Sequence, residues 1–331
     1  MVFFLMDRPH IHIIRAEDED MRLDRWFAKH FPDLSHAALE KLLRTGQIRL
    51  EGGRTKANIR IERGQKLRVP PLRLKAPAKK AKASVSKEAI EKLHNAILYK
   101  DEHLIAINKW AGLAVQGGSK VGLHLDAMLD ELRFGAGERP RLIHRLDRET
   151  SGLLLLARSR KTADYMTKLF SSRKIEKLYW GLTYGVPRPA KGMCQLPLIK
   201  RLIGKVERII IAEKNEQDAQ KAVTLYSMIA HAGQHMAWLA FQPRTGRKHQ
   251  IRVHAAALDM PLVGDNKYGS KEPPGGEIGE GLHLHARTLR FPHPAGGMVE
   301  LTAPLQGGMA QSWKVLGFAD DAENPFQEMH I

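Results

Sequence analysis

The chain is 331 residues long, 43% hydrophobic and 27% charged, which excludes a wholly disordered or fibrous protein and leaves room for two domains. Lys and Arg number 53 against 36 Asp and Glu, a formal net charge of +17, which points to a polyanionic partner because each phosphate neutralised releases condensed counterions. No apolar run approaches the roughly 20 residues that span a bilayer, and the single cysteine, Cys194, excludes an internal disulfide or a cysteine-based zinc site.

The opening apolar stretch, Met1 to Met6, is short and is followed by Asp7-Arg8-Pro9 and then by Glu17-Asp18-Glu19-Asp20. That pattern fits neither a secretory nor a transit leader, so a cytoplasmic location is expected. Residues 1–17 are taken as an N-terminal lead, and 18–72 as a small basic α+β module. Leu23, Trp26, Phe27 and Phe31 recur at helical spacing, and Ser35 is placed to cap a second helix that carries Leu39, Leu42 and Leu43 and stops at Gly46. Beyond Gly46 the apolar residues alternate, with Ile48 and Leu50, Ile59 and Ile61, then Leu67 and Val69, predicting short strands separated by glycines. Arg22, Arg25, Lys41, Arg44 and Arg49 are available for one basic face.

Residues 73–90 read as a flexible basic linker. The run RLKAPAKKAK carries positive charges only and a proline, and its role stands open between a solvated connector and an RNA-touching arm. The body, 91–310, begins with a predicted hairpin in which 97–99 and 104–108 flank an Asp101-Glu102 turn. A helix over 124–134, a buried strand over 152–157, a helix over 161–170 and a strand over 178–185 follow. Three consecutive strands are predicted over 208–212, 222–231 and 236–243. A helix over 247–258 then places Ile251, His254, Ala255 and Leu258 on one face. Strands next to strands, with helices between some of them, favour an α+β fold with a mixed sheet over a regular βαβ series. Residues 311–331 are taken as a C-terminal tail.

The densest chemical signal is HRLDRETSGLLLLARS, residues 144–159, where Asp147 sits in a polar loop ahead of an apolar strand. Arg145 and Arg148 flank it, and their charges would hold the carboxylate ionised, as a nucleophile or base or simply as half of a salt bridge. Tyr179 in a predicted strand fits a core as well as a site, and Arg252 and Arg247 on a basic protein fit its surface. Sixteen histidines include the pair His283 and His285, but no HExxH or Cys/His set has zinc spacing, so no metal is expected. Gly117-Gly118-Ser119 lacks the Walker pattern and reads as a tight turn.

HRLDRETSG is similar to the catalytic loop of the RluA-type pseudouridine synthases. DEHLIAINKWAGLAVQGG, KLYWGLTYG, TGRKHQIRVHAAALDMPLVGDNKYG and LHLHARTLRFPHP resemble further blocks of that family in the same order, so the likeness covers about residues 92–310. Through RLDRWF, SHAALEKLLRTGQIRL and IERGQKLRV, the 18–72 module resembles the S4-type RNA-binding domain. The resemblance implies a mixed-sheet pseudouridine synthase domain, an isomerase that converts uridine to pseudouridine in RNA. It implies Asp147 as the carboxylate that attacks the nucleoside, and Tyr179 as the residue that moves the C5 proton or packs on the base. Arg252 is implied as the basic partner of Asp147, with Arg247 second for that pairing or for a phosphate. Arg145 is linked to displacing the target base from its stack or to a phosphate contact, and Arg148 and Gln250 are further RNA-contact candidates. The isomerisation exchanges one glycosidic link for another without net redox change, so no cofactor is expected. Trp110 stands where the family usually has proline. The S4-bearing branch is similar to bacterial enzymes acting on large-subunit ribosomal RNA, so a structured RNA of that kind is the expected partner of a monomer. Transfer RNA is the alternative substrate, and a non-catalytic RNA-binding assembly factor the alternative function.

Overall fold

The computed structural model describes residues 9–72, 85–117, 122–204, 206–269 and 276–326. Two compact units are found, Met1–Lys82 and Ala83–Ile331. The basic run 73–82 and the Gly118-Ser119 step lie outside the described residues.

In the first unit, β1 (His10–Ile13), α1 (Leu23–His30), α2 (His36–Arg44), β2 (Arg49–Leu50) and β3 (Lys66–Val69) follow one another. The strands form an antiparallel sheet in the order β1-β3-β2. Leu23, Trp26 and Phe27 of α1 pack with Leu39 and Leu43 of α2 over Leu67 and Val69. The Ser35 hydroxyl accepts the Ala38 N–H at 3.3 Å to start α2, and Gly46, at φ +69°, lets the chain leave it. Buried Asp18 accepts from Trp26 Nε1 at 3.1 Å, Lys29 Nζ at 2.7 Å and His30 Nε2 at 2.9 Å, so its charge is fully partnered. The boundary at 17/18 is corrected, because His10 pairs with Val69 and Ile13 with Lys66, which places the expected lead inside the module's sheet. Residues 59–61 form no strand; an isolated Arg22–Arg60 bridge and backbone hydrogen bonds to Asp20, Met21 and Leu23 hold them beside the start of α1, while Ile61 fills the core.

The second unit starts with α3 (Lys87–Asn95), so the expected linker ends by Ser86, whose hydroxyl caps this helix. There follow β4 (Ile97–Lys100), β5 (Leu104–Lys109), α4 (Leu125–Met128), a 3-10 turn (Leu129–Leu132), β6 (Arg141–Leu142), β7 (Ser151–Ala157), α5 (Arg160–Ser171) and β8 (Glu176–Tyr184). Next come β9 (Lys191–Cys194), β10 (Leu198–Ile203), β11 (Val206–Ile211), β12 (Thr224–Ala232), β13 (Met236–Pro243), α6 (Gln250–Ala257), β14 (Leu284–Pro292), β15 (Met298–Thr302) and α7 (Gly307–Leu316). Ten strands make a mixed sheet in the order β4-β5-β7-β14-β8-β13-β12-β9, with β6 on β7 and β15 on β14, while β10 and β11 form a separate hairpin. The α+β class expected from the sequence is therefore observed.

At the centre lies β7, whose Leu153, Leu154, Leu155 and Leu156 are all fully buried. Leu154 and Leu156 pack on one face with Ile105, Ile107 and Leu129. Leu153 and Leu155 pack on the other with Met166 and Phe291. Each contributes about 1.5–3 kcal/mol by leaving water. The expected 124–134 helix splits into α4 and the 3-10 turn, which still delivers Leu125, Met128, Leu129 and Leu132 to the core. Of the expected tail 311–331, residues 311–326 pack on the unit and 327–331 lie outside the described residues: Trp313 of α7 and Phe326 are buried with Trp180 and Trp238, and Phe318 packs against them.

One contact fixes the middle of the sheet. β7 runs parallel to β14 with Ser151 beside His285 and Gly152 beside Ala286. Gly152 has φ +106°, and a Cβ placed there would lie 2.3 Å from the Ala286 carbonyl oxygen. Gly152→Ala is therefore expected to destabilise the unit by on the order of 3 kcal/mol through combined backbone strain and overpacking. Gly137→Ala, at a position with open space and ordinary φ, should leave the urea midpoint unchanged; equal midpoints for the two variants would contradict this account.

Candidate active site

The β6–β7 loop, β8 and the β13–α6 loop converge on a cavity of about 220 Å³. The first of these carries Asp147, and the Thr150 N–H donates to the Asp147 carbonyl at 3.2 Å as the chain turns into β7. Lys109, fully buried at the end of β5, ties this loop down. Its Nζ donates to the carbonyls of Trp110 at 3.0 Å, Leu113 at 3.1 Å and Arg148 at 3.1 Å. Burial pulls its pKa down to about 7, against the charges of Glu149 and Asp147. Three carbonyls match the three donors of an ammonium, so the site is built for the charged form.

Neither flanking arginine pairs with Asp147, contrary to expectation. Arg148 donates through Nε to the Gly112 carbonyl at 3.0 Å and faces Glu149 at 3.5 Å. Arg145 lines the cavity and is exposed. Asp147 instead has His249 opposite it, with Nε2 3.9 Å from its Oδ2. His249 adopts φ +54°, a left-handed conformation costing on the order of 1 kcal/mol for a residue other than glycine, and its Nδ1 shares a 2.7 Å hydrogen bond with the Tyr268 hydroxyl. Burial lowers the imidazole pKa to about 4, with Arg252, Lys267 and Lys248 acting the same way and Asp147 opposing them. The left-handed turn also explains why α6 begins at Gln250 and not at Arg247.

Arg252 lines the same cavity, but its direct partner is Asp265 and not Asp147. Two hydrogen bonds join them, Nε to Oδ2 at 2.8 Å and an Nη to Oδ1 at 2.6 Å, and both side chains are buried. Burial opposes ionisation of Asp265, yet the Arg252 fork and the N–H groups of Lys267 and Tyr268 take its pKa below the usual range. Gln250, expected to meet RNA, is buried and fully engaged: it accepts from Thr245 Oγ1 at 2.7 Å and from the Arg247 N–H at 3.1 Å, and donates to Thr224 Oγ1 and the Val223 carbonyl, both at 2.9 Å. It shapes the turn that presents Arg247, which lines the cavity with its Nε on the Lys221 carbonyl at 3.2 Å. Tyr179 on β8 lies across from Phe241 and Ala286 and lines the cavity. Burial, and then the Asp147 charge, hold its phenol protonated well above the usual value.

The structure thus brings Asp147, Tyr179, Arg145, Arg247 and Arg252 to one cavity and leaves Arg148 outside it. In the first unit Arg22 is held by Asp24 at 2.6 Å and Arg49 by the carbonyls of Gly46 and Gly52. Arg25, Lys41 and Arg44 are exposed, with no ion-pair partner among the described residues. Sequence reasoning missed Lys109, His249 and Asp265 as site-building residues. The signal for Asp265 was available in GDNKYG, an aspartate between a glycine and a turn; His249 offered none, because its left-handed backbone is a tertiary effect.

A family model described as RNA pseudouridylate synthase matches residues 103–257. The chain is 37% identical over 258 residues to the ribosomal large subunit pseudouridine synthase C of Rickettsia prowazekii (strain Madrid E), covering 76% of this chain and 83% of that protein. It is 32% identical to the protein of the same name in Vibrio cholerae, covering 89% and 94%. The chain belongs to the RNA pseudouridylate synthase family. Among solved structures, human RNA pseudouridylate synthase domain containing 4 superposes with a TM-score of 0.58 at 30% identity, covering 69% of this chain and 95% of that one. As a pseudouridine synthase the chain is an isomerase that converts uridine to pseudouridine in RNA.

Two consequences of the site's construction are measurable in this synthase. Asp265→Asn removes the only charge paired with buried Arg252 among the described residues, and is expected to cost about 3–5 kcal/mol in urea unfolding; a loss within 1 kcal/mol, roughly the worth of a surface pair, would show that the pair contributes little. Acidification should also destabilise the fold. His285 Nε2 donates to the Ala303 carbonyl at 3.2 Å and its Nδ1 shares a 2.9 Å hydrogen bond with Ser151 Oγ, and burial takes the pKa from 6.5 to about 4, so the ring is neutral at pH 7. The unfolded chain then binds the proton first, so stability held above pH 6.5 is lost as pH falls toward 4, about 3 kcal/mol for this residue. His144, whose Nε2 accepts the Leu155 N–H at 2.8 Å and whose pKa burial pushes to about 3, adds to the same trend. Urea melts between pH 7.5 and 4.5 should show this slope, and His285→Gln should flatten it.

Proposed function

We propose that the chain isomerises uridine in large-subunit ribosomal RNA and that Asp147 is its reacting carboxylate. The observation that carries the assignment is the make-up of the cavity: Asp147 is the one carboxylate among its lining residues, facing five Lys or Arg side chains. A site so composed binds a polyanion and offers it one nucleophile or base. The substrate class follows the two relatives, both named as large-subunit ribosomal enzymes.

The target nucleotide has to leave its stack, since its reacting atoms are inaccessible within a helix. Arg145, exposed at the cavity wall, is placed to fill the vacated space or grip a phosphate. Asp147 then engages the nucleoside while the N1–C1′ bond breaks; the freed uracil turns, C5 bonds to C1′, and the C5 hydrogen leaves as a proton while N1 gains one. Because the Tyr179 phenol stays protonated, it is better suited to pack on the base than to accept the C5 proton. Arg252, fixed by Asp265, gives the cavity a buried cation with no direct bond to Asp147. In the first unit Arg25, Lys41 and Arg44 furnish the RNA-facing surface of an S4-type module.

Tritium release from 5-tritiated uridine in ribosomal RNA, taken from a strain lacking the protein, tests the reading, because C5 loses its hydrogen when it becomes the glycosidic carbon. Wild-type protein should release tritium, and Asp147→Asn should release none while binding the RNA nearly as well, since one charge among many phosphate-facing groups changes. Release from transfer RNA alone would move the substrate. Binding without release from either RNA would replace the enzyme with an assembly factor.

A further inference from the structure

The Asp147 cavity does not end at its own walls. A second cavity of about 470 Å³ shares Arg145, Lys177, Tyr179 and Arg247 with it and extends toward the C-terminal end of α5. A third, of about 300 Å³, continues between β8 and β13. Lys177 lines all three, and Arg173 and Arg244 line the outer two. Together they form a trough leading away from the carboxylate.

The charges of the outer trough are uncompensated. Arg173, Lys177 and Arg244 form no ion pair or side-chain hydrogen bond among the described residues. Glu176, the acidic residue beside them, faces Arg290 at 3.9 Å and Arg290 in turn faces Glu300. Other cations that lie near carboxylates are paired, as Lys29 is with Asp18, Arg60 with Asp20 and Arg252 with Asp265. Arg173 stands at the left-handed position just past α5, at φ +60°, where glycine is the least strained choice. Burial lowers the pKa of Lys177, and the neighbouring Arg173 charge lowers it further. Three cations kept together without a counter-charge are stabilised only when an anion arrives. An extended trough open along its length suits a chain of phosphates better than a single enclosed ion.

We propose that Arg173, Lys177 and Arg244 form a phosphate subsite that grips the RNA backbone beside the nucleotide whose base enters the Asp147 cavity. The subsite rests on the reading of that cavity as the isomerisation site. It holds the strand at a fixed distance from the carboxylate, so that charge neutralisation offsets the unstacking of the base. Lys177, common to all three cavities, marks the junction between base and backbone.

The test uses the full chain with Arg173→Gln, Arg244→Gln and Lys177→Met, and 5-tritiated ribosomal RNA from a strain lacking the protein. Each variant should raise KM about tenfold, as expected for a lost charge-assisted hydrogen bond, with the larger part of the loss in KM and not in kcat. In an Asp147→Asn background, each should reduce the slope of log affinity against log salt by about 1, and Lys177→Arg should restore it, which a packing role would not require. Unchanged KM and unchanged slope in all three, with tritium released by the wild type, overturn the subsite and leave the isomerase reading standing. If the wild type releases no tritium, the isomerase reading falls and the subsite's place beside a reacting nucleotide falls with it, whatever the salt slopes of the variants.

Discussion

The approach of β7 to β14 at Gly152 and Ala286 sets the distances on which the rest of the catalytic unit depends. With a carbonyl 2.3 Å from where a Cβ would sit, only glycine permits the two parallel strands to close, and Ser151 then meets His285. β14 pairs on its other side with β8, placing Tyr179 opposite Ala286. Asp147, four residues ahead of Ser151, is thereby carried to the mouth of β8. The loop that holds it is pinned from a third strand by Lys109, whose ammonium gathers the carbonyls of Trp110, Leu113 and Arg148. Carboxylate, tyrosine and sheet centre are consequences of one close contact and one buried cation.

Charge in this protein is handled in two ways, and the division follows distance from the reacting centre. Inside α6 and its following loop, Arg252 and Asp265 form a buried bidentate pair whose members stabilise each other's ionised forms. Such a pair contributes little net stability against an apolar replacement, but it fixes geometry and field. Along the trough from Lys177 to Arg244 the cations have no ion-pair partner among the described residues. The first arrangement keeps a cation beside the cavity that Asp147 lines, whereas the second, under the proposed subsite, is completed by RNA phosphate. A chain with a net charge of +17 can bind phosphate almost anywhere, so selectivity has to come from where cations are held rigidly and where they are left open.

Much of this was legible in the sequence because the signals were local. The helical spacing of Leu23, Trp26 and Phe27, the Ser35 cap, the four-leucine run of β7 and the Asp101 turn all express short-range physics, and the structure places them as read. The errors are tertiary. β1 was missed because HIHI is an edge strand whose Ile11 and Ile13 remain 58% and 63% exposed, so no buried face marked it. α7 was read as tail because its aromatic contacts, Trp313 against Trp180 and Trp238, come from strands more than 70 residues away in sequence. In the site, residue types were legible but partners were not. Arg252 was assigned to the wrong aspartate because Asp265 lies 13 residues downstream, beyond a turn, and Gln250 was assigned to RNA because its four protein partners come from two segments that only the fold brings together.

The absence of a direct Arg252–Asp147 bond has a mechanistic consequence under the proposed reading. A carboxylate locked in a bidentate pair is a poor nucleophile, since its lone pairs are engaged and its rotation is restricted. Asp147 has the His249 imidazole at 3.9 Å and Arg252 engaged elsewhere, so no bidentate partner restricts its turning toward the sugar. His249 adopts a left-handed backbone at the start of α6, and its Nε2 lies 3.9 Å from the carboxylate while Arg252 is held by Asp265. Under that reading Asp265 engages the Arg252 guanidinium and leaves the Asp147 oxygens unpaired by it, a condition that a straightforward ion pair between Asp147 and Arg252 would not meet.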